Sequence, residues 1–175
     1  MADPAGDVRA TALGALLRMG RVTAADVEHA VDDPAPEVRR RACEVSVGLA
    51  ATAAGVASAV VAALDDAEPL VVEAACFALG EAGAAIAPVA LPGLNRVAAH
   101  HPDPLCREAA IAALGAIGDK AGLSAILAGL DDKPAIRRRA VIALAPFEGP
   151  AVDEALAKAR TDRDWQVRQA AEDLS

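Results

Sequence analysis

Aromatic residues are nearly absent from this chain. Its 175 residues include no tyrosine, one tryptophan and two phenylalanines, 2% in all. Strands lean on β-branched and aromatic side chains, so this shortage argues against a sheet. Cysteine is also sparse. Three residues, an odd number without paired spacing, suit a reducing compartment better than a disulfide framework, so a cytoplasmic protein is expected. No long apolar run is present. The longest, "LAATAAGVASAVVAAL" at 49–64, is 16 residues of mostly small side chains, too short and too weak to span a bilayer. The opening "MADPAGDVRA" lacks the apolar stretch of a signal peptide. Positive charge is in deficit: 17 Lys and Arg stand against 25 Asp and Glu, a net charge of −8. That balance argues against a sequence-independent grip on phosphate backbones, so neither nucleic acid nor membrane is expected as a partner.

What the chain has is alanine, 47 of its 175 residues. Alanine is the best helix former and the smallest side chain that keeps a Cβ, so a core made from it needs helices that approach closely. The alanines fall in register. An anchor column holds Arg9, Arg39, Val72, Arg107, Arg137 and Arg168, at spacings of 30, 33, 35, 30 and 31 residues. Three residues on stand Ala12, Ala42, Ala75, Ala110, Ala140 and Ala171. One residue earlier stand Val8, Val38, Val71, Cys106, Ile136 and Val167. Six earlier stand Asp3, Asp33, Asp66, Asp131 and Asp162, with His101 as the exception. Three earlier, four units carry Pro36, Pro69, Pro104 and Pro134. Only 14 residues of the chain are Arg, so five of six in one column is not a product of composition. A period of this length specifies a solenoid filling residues 1–175 as one domain.

Each unit reads as two helices. Proline at the first turn loses no hydrogen bond and pre-sets φ for the helix start. Apolar positions then recur at helical spacing, as in Cys106, Ala110, Ala113, Leu114 and Ile117, and Gly118 follows as a C-cap. Second helices lie between, one holding Leu123, Ile126, Leu127 and Leu130, another Val152, Ala155, Leu156 and Ala159. Thr23 followed by Asp26 is a capping-box variant. The segment 85–101 carries Pro88 and Pro92, so it either kinks or begins as a loop. The expectation is about eleven helices of roughly 10–16 residues, with no strand. The chain opens on an anchor helix and stops inside another, which fits a fragment of a longer solenoid or a small complete protein.

The pattern D-x-x-P-x-V-R-x-x-A-x-x-A-L-G, seen best in "DPLCREAAIAALGAIGD", resembles the HEAT-repeat superfamily, and within it the HEAT-like repeats named after phycobilisome lyases. The resemblance covers essentially the whole chain, with weaker copies at the ends, where capping repeats depart from consensus. It implies antiparallel helix pairs stacked into a right-handed α-solenoid, with the anchor helices on the concave face. It further implies an Asp–Arg ladder between units, here Asp3, Asp33, Asp131 and Asp162 with Arg9, Arg39, Arg107, Arg137 and Arg168. Val72 and His101 break that pattern, so the ladder should be interrupted mid-chain.

No catalytic or metal-binding constellation emerges. Cys43 and Cys76 share a column with Leu13, Ile111 and Val141, and Cys106 stands where others have Val or Ile, so all three read as buried small hydrophobes. His100, His101 and Asp103 could touch a metal, but the spacing matches no ligand set and reads as a solvated loop. Deoxyhypusine hydroxylases of HEAT type carry His-Glu pairs just after the anchor. Here Arg40-Arg41, Glu73-Ala74, Glu108-Ala109 and Arg138-Arg139 stand there instead. No cofactor is implied.

The remaining candidate is the outward side of the anchor helices. Positions two before and one, two and five after the anchor are polar at the ends and apolar in the middle: Leu70, Ala74, Phe77, Leu105, Ala109 and Ala112, continuing to Ile142. An apolar patch with a polar rim marks a partner site. Leu70, Ala74, Phe77, Leu105 and Ala109 are the expected contact residues, with Arg41 and Arg139 flanking them to select acidic groups. Two competing readings stay open: Phe77 and Leu105 could tilt into the core between units, and Arg40–Glu73 and Glu108–Arg138 could be surface ion pairs. The expected function is a scaffold that binds a protein or peptide. The alternative is a lyase-like enzyme or accessory subunit that acts on or carries a small molecule.

Overall fold

The computed structural model describes residues 4–174. Eleven α-helices run through them, with no strand among the described residues. The anchor helices are α1 (Gly6–Arg18), α3 (Pro36–Val45), α5 (Pro69–Ala82), α7 (Pro104–Ile117), α9 (Pro134–Ala143) and α11 (Trp165–Asp173). The second helices are α2 (Ala24–Ala30), α4 (Ala54–Ala62), α6 (Ala87–His100), α8 (Leu123–Ala128) and α10 (Pro150–Ala159). Each anchor helix packs on the next, and each second helix packs on the anchor helix that follows it. The array is therefore a two-layered α-solenoid.

Local chemistry sets the boundaries. Pro36, Pro69, Pro104 and Pro134 open α3, α5, α7 and α9 at the first turn, where a missing N–H costs nothing. The Asp103 carboxylate accepts from the Leu105 N–H to cap α7, and Gly118, at φ 68, ends that helix in the left-handed conformation. Thr23 and Asp26 form the reciprocal capping box at α2. The prolines of the long segment are now placed. Residues 83–86 form a 3-10 turn, Pro88 lies in the first turn of α6, and Pro92 sits within that helix. Two second helices are shorter than expected. α2 has 7 residues, and α8 has 6 because 3-10 turns at Lys120–Gly122 and Gly129–Asp131 take up its ends. By length and composition the stretch Pro69–His100 is apolar enough to cross a membrane. Gly83, with φ 66, breaks it into two helices, and half of the apolar window is buried inside the array.

The columns become the core. Ala42, Ala75, Ala110, Ala140 and Ala171 are all 0% exposed, and a Cβ built on Gly129, in the turn before α9, would lie 3.3 Å from the Ala140 Cβ. Val38, Val71, Cys106, Ile136 and Val167 are buried too, whereas Val8, in the first unit, is exposed. That column faces the preceding unit, as shown by the Cys106 thiol donating to the Pro69 carbonyl at 3.3 Å. Replacing Ala110 by Leu should lower stability by about 1–3 kcal/mol, because the added methylenes have no room at a fully buried site. Ala112→Leu, at a partly exposed position, should leave the melting temperature nearly unchanged. Thermal melts of the two variants check the register.

Between units runs an ion-pair ladder. Arg9 binds Asp33 bidentately, as Arg39 does Asp66, Arg107 does Asp132 and Arg137 does Asp162, with N···O distances of 2.6–2.9 Å. Each arginine pairs with the aspartate of the following unit. Two expectations are corrected here. Asp66 is a ladder residue, and Asp132 rather than Asp131 fills the place in the fifth unit. Asp131 points outward to Lys158 at 2.9 Å. Asp3 lies outside the described residues. The interruption falls where expected: Val72 is fully buried, and no rung joins the third unit to the fourth. His101 keeps the local half of the aspartate's work. Its Nδ1 accepts from the Asp103 N–H at 3.1 Å, as the Asp33, Asp66 and Asp162 carboxylates accept from the N–H two residues on. Arg168 donates to the Asp162 and Arg163 carbonyls, and no carboxylate among the described residues meets its remaining donors.

Candidate functional site

The anchor layer packs more tightly than the second layer. A Cβ built on Gly80 of α5 would lie 3.0 Å from the Ala113 Cα of α7, and one on Gly115 of α7 would lie 2.7 Å from the Ala143 Cα of α9. The free side of the anchor helices is the side turned away from the second layer.

Three large side chains stand on that side at its centre. Leu70 and Phe77 project from α5 and Leu105 from α7, at 54%, 57% and 57% exposure. They do not tilt into the core between units. The smaller expected residues lie lower. Ala74, expected to face outward, is buried, and Ala109 is partly buried against the core. The same column holds Arg41 and Arg139, whose long side chains climb to the surface that an alanine cannot reach.

Grooves separate the helices. The one between α3 and α5, about 370 Å³, is lined by Arg40, Glu44, Leu70, Glu73, Ala74 and Phe77. The one between α5 and α7, about 330 Å³, has a floor of small residues that includes Gly80, Ala109 and Ala113. Glu73, Phe77 and Glu81 stand along one side of it, with Arg139 also in its lining. A third, about 420 Å³ between α9 and α11, contains Arg138, Ile142, Trp165, Gln169 and Leu174. Among the described residues Trp165 is the most exposed of the large apolar side chains, at 63%. Sequence reasoning passed over it, although it is the only tryptophan and stands in the proline column.

The charges pair locally. Glu44 takes Arg40 at 2.9 Å and Arg41 at 2.6 Å, within α3. Glu108 faces Arg139 at 3.5 Å rather than Arg138. The cross-helix pair Arg40–Glu73 does not form, and the Glu73 and Glu81 carboxylates have no partner among the described residues. Burial pushes the Cys43 thiol up to about 12 and the Cys106 thiol up to about 11, and the Cys76 thiol upward too, as suits packing groups. Among the described residues no group of three or more His, Cys, Asp or Glu is placed to hold a metal ion.

The family profile for HEAT repeats matches residues 27–110, 57–145 and 91–174. The chain belongs to the HEAT-repeat family. No curated protein matches this HEAT-repeat chain. Among solved structures it is similar to a designed armadillo repeat protein in complex with the peptide (KR)4. That match has 20% identity and a TM-score of 0.71, and it covers 93% of this chain and 83% of that one. A second engineered protein gives 19% identity and a TM-score of 0.70, over 97% and 86% of the two chains. Human deoxyhypusine hydroxylase in complex with glycerol is more distant, at 19% identity and a TM-score of 0.55, over 99% and 80%. At these identities the likeness is one of fold.

Proposed function

We propose that this protein is an interaction scaffold that binds a protein or peptide on the free side of its anchor helices. One observation carries the reading: Leu70, Phe77 and Leu105 are each more than half exposed on adjacent central helices of the anchor layer. Exposing them costs solubility without serving the core, and a partner that covers them regains the apolar contact. The fold supports the reading, since a solenoid presents a long ridged surface rather than a deep pocket. A structural neighbour is a designed repeat protein in complex with a peptide. The Asp–Arg ladder supports placing the chain among the HEAT-like repeats named after phycobilisome lyases, and its buried unpaired cysteines suit a cytoplasmic setting.

The test is retention of partner by Phe77→Ala and Leu105→Asp, with Val89→Asp on the opposite layer as control. Any polypeptide that binds the wild-type protein should be retained by the control and lost at least tenfold by the first two variants. Melting curves must show all three folded. If Phe77→Ala and Leu105→Asp keep the partner, the reading fails.

A further inference from the structure

We infer that α5 and the groove beside it dock a lysine- or arginine-bearing segment of the partner, a conclusion that rests on the binding surface proposed above. Glu73, Phe77 and Glu81 stand at i, i+4 and i+8 of α5, so they form one stripe along its free face, each step about 6 Å along the axis. The aromatic ring at the centre is 57% exposed, and the carboxylates on either side of it have no partner among the described residues. On the helices flanking this groove most of the charge is already paired. Glu44 holds Arg40 and Arg41, and Glu108 faces Arg139, so the two arginines expected to select acidic groups are engaged within the chain. What is left at the centre is negative charge beside an apolar floor. The floor is narrow because Gly80 lies against the Ala113 backbone, which suits an unbranched alkyl stem better than a second ring. A lysine or arginine side chain satisfies every element. Its methylenes lie over the alanines of α7, and its head sits on the Phe77 ring between two carboxylates. An acidic segment would meet two unneutralised carboxylates, and the one cation lining the groove, Arg139, already faces Glu108 at 3.5 Å.

The experiment titrates the isotope-labelled protein with short blocked peptides of alternating leucine and a variable residue, which is lysine, glutamate or serine. The lysine peptide should shift the amide resonances of residues 73–81 and 109–116 and bind at least tenfold tighter than the other two. Glu73→Gln with Glu81→Gln should remove that preference. The charge-matched pair Asp153→Asn with Glu154→Gln, on α10 in the other layer, should change affinity less than twofold. Equal loss in the two double variants would reduce the effect to net charge and overturn the inference. So would equal binding of the lysine and serine peptides, or no binding by any. The two claims separate cleanly: a serine peptide that binds here and is lost in Phe77→Ala leaves the apolar surface standing and removes only its preference for cations.

Discussion

Replacing Arg137 by Ala should destabilise the protein by about 3–5 kcal/mol, the usual cost of stranding one member of a buried ion pair. Its guanidinium side chain is 7% exposed and forks onto both carboxylate oxygens of Asp162, at 2.7 and 2.8 Å, while a third nitrogen donates to the Asp132 carbonyl. Removal leaves Asp162 charged and largely desolvated at the joint between the last two units. For a chain of this length the melting temperature should fall by about 10 °C or more. Hydrogen exchange should show α11 opening first, since in a solenoid each unit is held by its neighbour alone. A loss below about 1 kcal/mol would place the rung among ordinary surface ion pairs.

The same rung predicts a pH dependence. The Arg137 guanidinium holds the Asp162 carboxyl below its usual range, with burial opposing, and Arg9, Arg39 and Arg107 act likewise on Asp33, Asp66 and Asp132. A carboxyl whose folded pKa is depressed stabilises the fold fully above its unfolded value, about 4, and that contribution drains away as pH falls through the folded value. The gap between wild type and Arg137→Ala should therefore be widest near neutrality and narrow below about pH 4. The chain also holds a precedent for a joint without ions, at Val72 and His101. Arg137→Val combined with Asp162→His copies it, and the new histidine can still accept from the Asp164 N–H as Asp162 does. The pair should recover at least half of what the single change loses. If it recovers none, the stranded carboxylate is not the cause.

The columns that were legible in the sequence are those where sterics leave one answer. A small alanine three residues after the anchor and a small aliphatic before it need no knowledge of neighbouring geometry. The ladder was harder, because its rungs join residues 24–27 apart through turns of unequal length. Two adjacent aspartates at 131 and 132 made the register ambiguous by one residue, and only the turn before α9 decides which one faces Arg107. Ala74 shows a second limit. Its column faces the solvent in units that place arginine there, yet a side chain of one carbon ends below the surface its longer equivalents reach. Ion pairing showed a third. The glutamate one turn away within α3 won Arg40, a local contact that the cross-helix alignment of columns does not weigh. Phe77 and Leu105 could be assigned to the right helix face, but their freedom from the core depends on how closely α5 and α7 approach.

That approach yields the prediction whose sign is most informative. In an open helix interior, Gly→Ala stabilises by about 0.8–1 kcal/mol, because alanine gives up less backbone freedom. At Gly115, inside α7, the opposite is expected. A Cβ there would stand 2.7 Å from both the Cα and Cβ of Ala143 and 3.1 Å from its carbonyl oxygen. Backbone cannot rotate away as a flexible side chain can, so α9 as a whole must shift, and with it the Arg137–Asp162 rung at its first turn. Gly115→Ala should therefore destabilise. Gly115→Val, with two further methyl groups, should cost about 3 kcal/mol or more, at the upper end of overpacking penalties. Ala116→Val, next along the helix and exposed, should cost only the few tenths of a kcal/mol that β-branching takes from a helix. Denaturant unfolding of the three variants measures the difference. Stabilisation by Gly115→Ala would mean that α7 and α9 are not in backbone contact, and the close packing of the anchor layer would lose its physical basis.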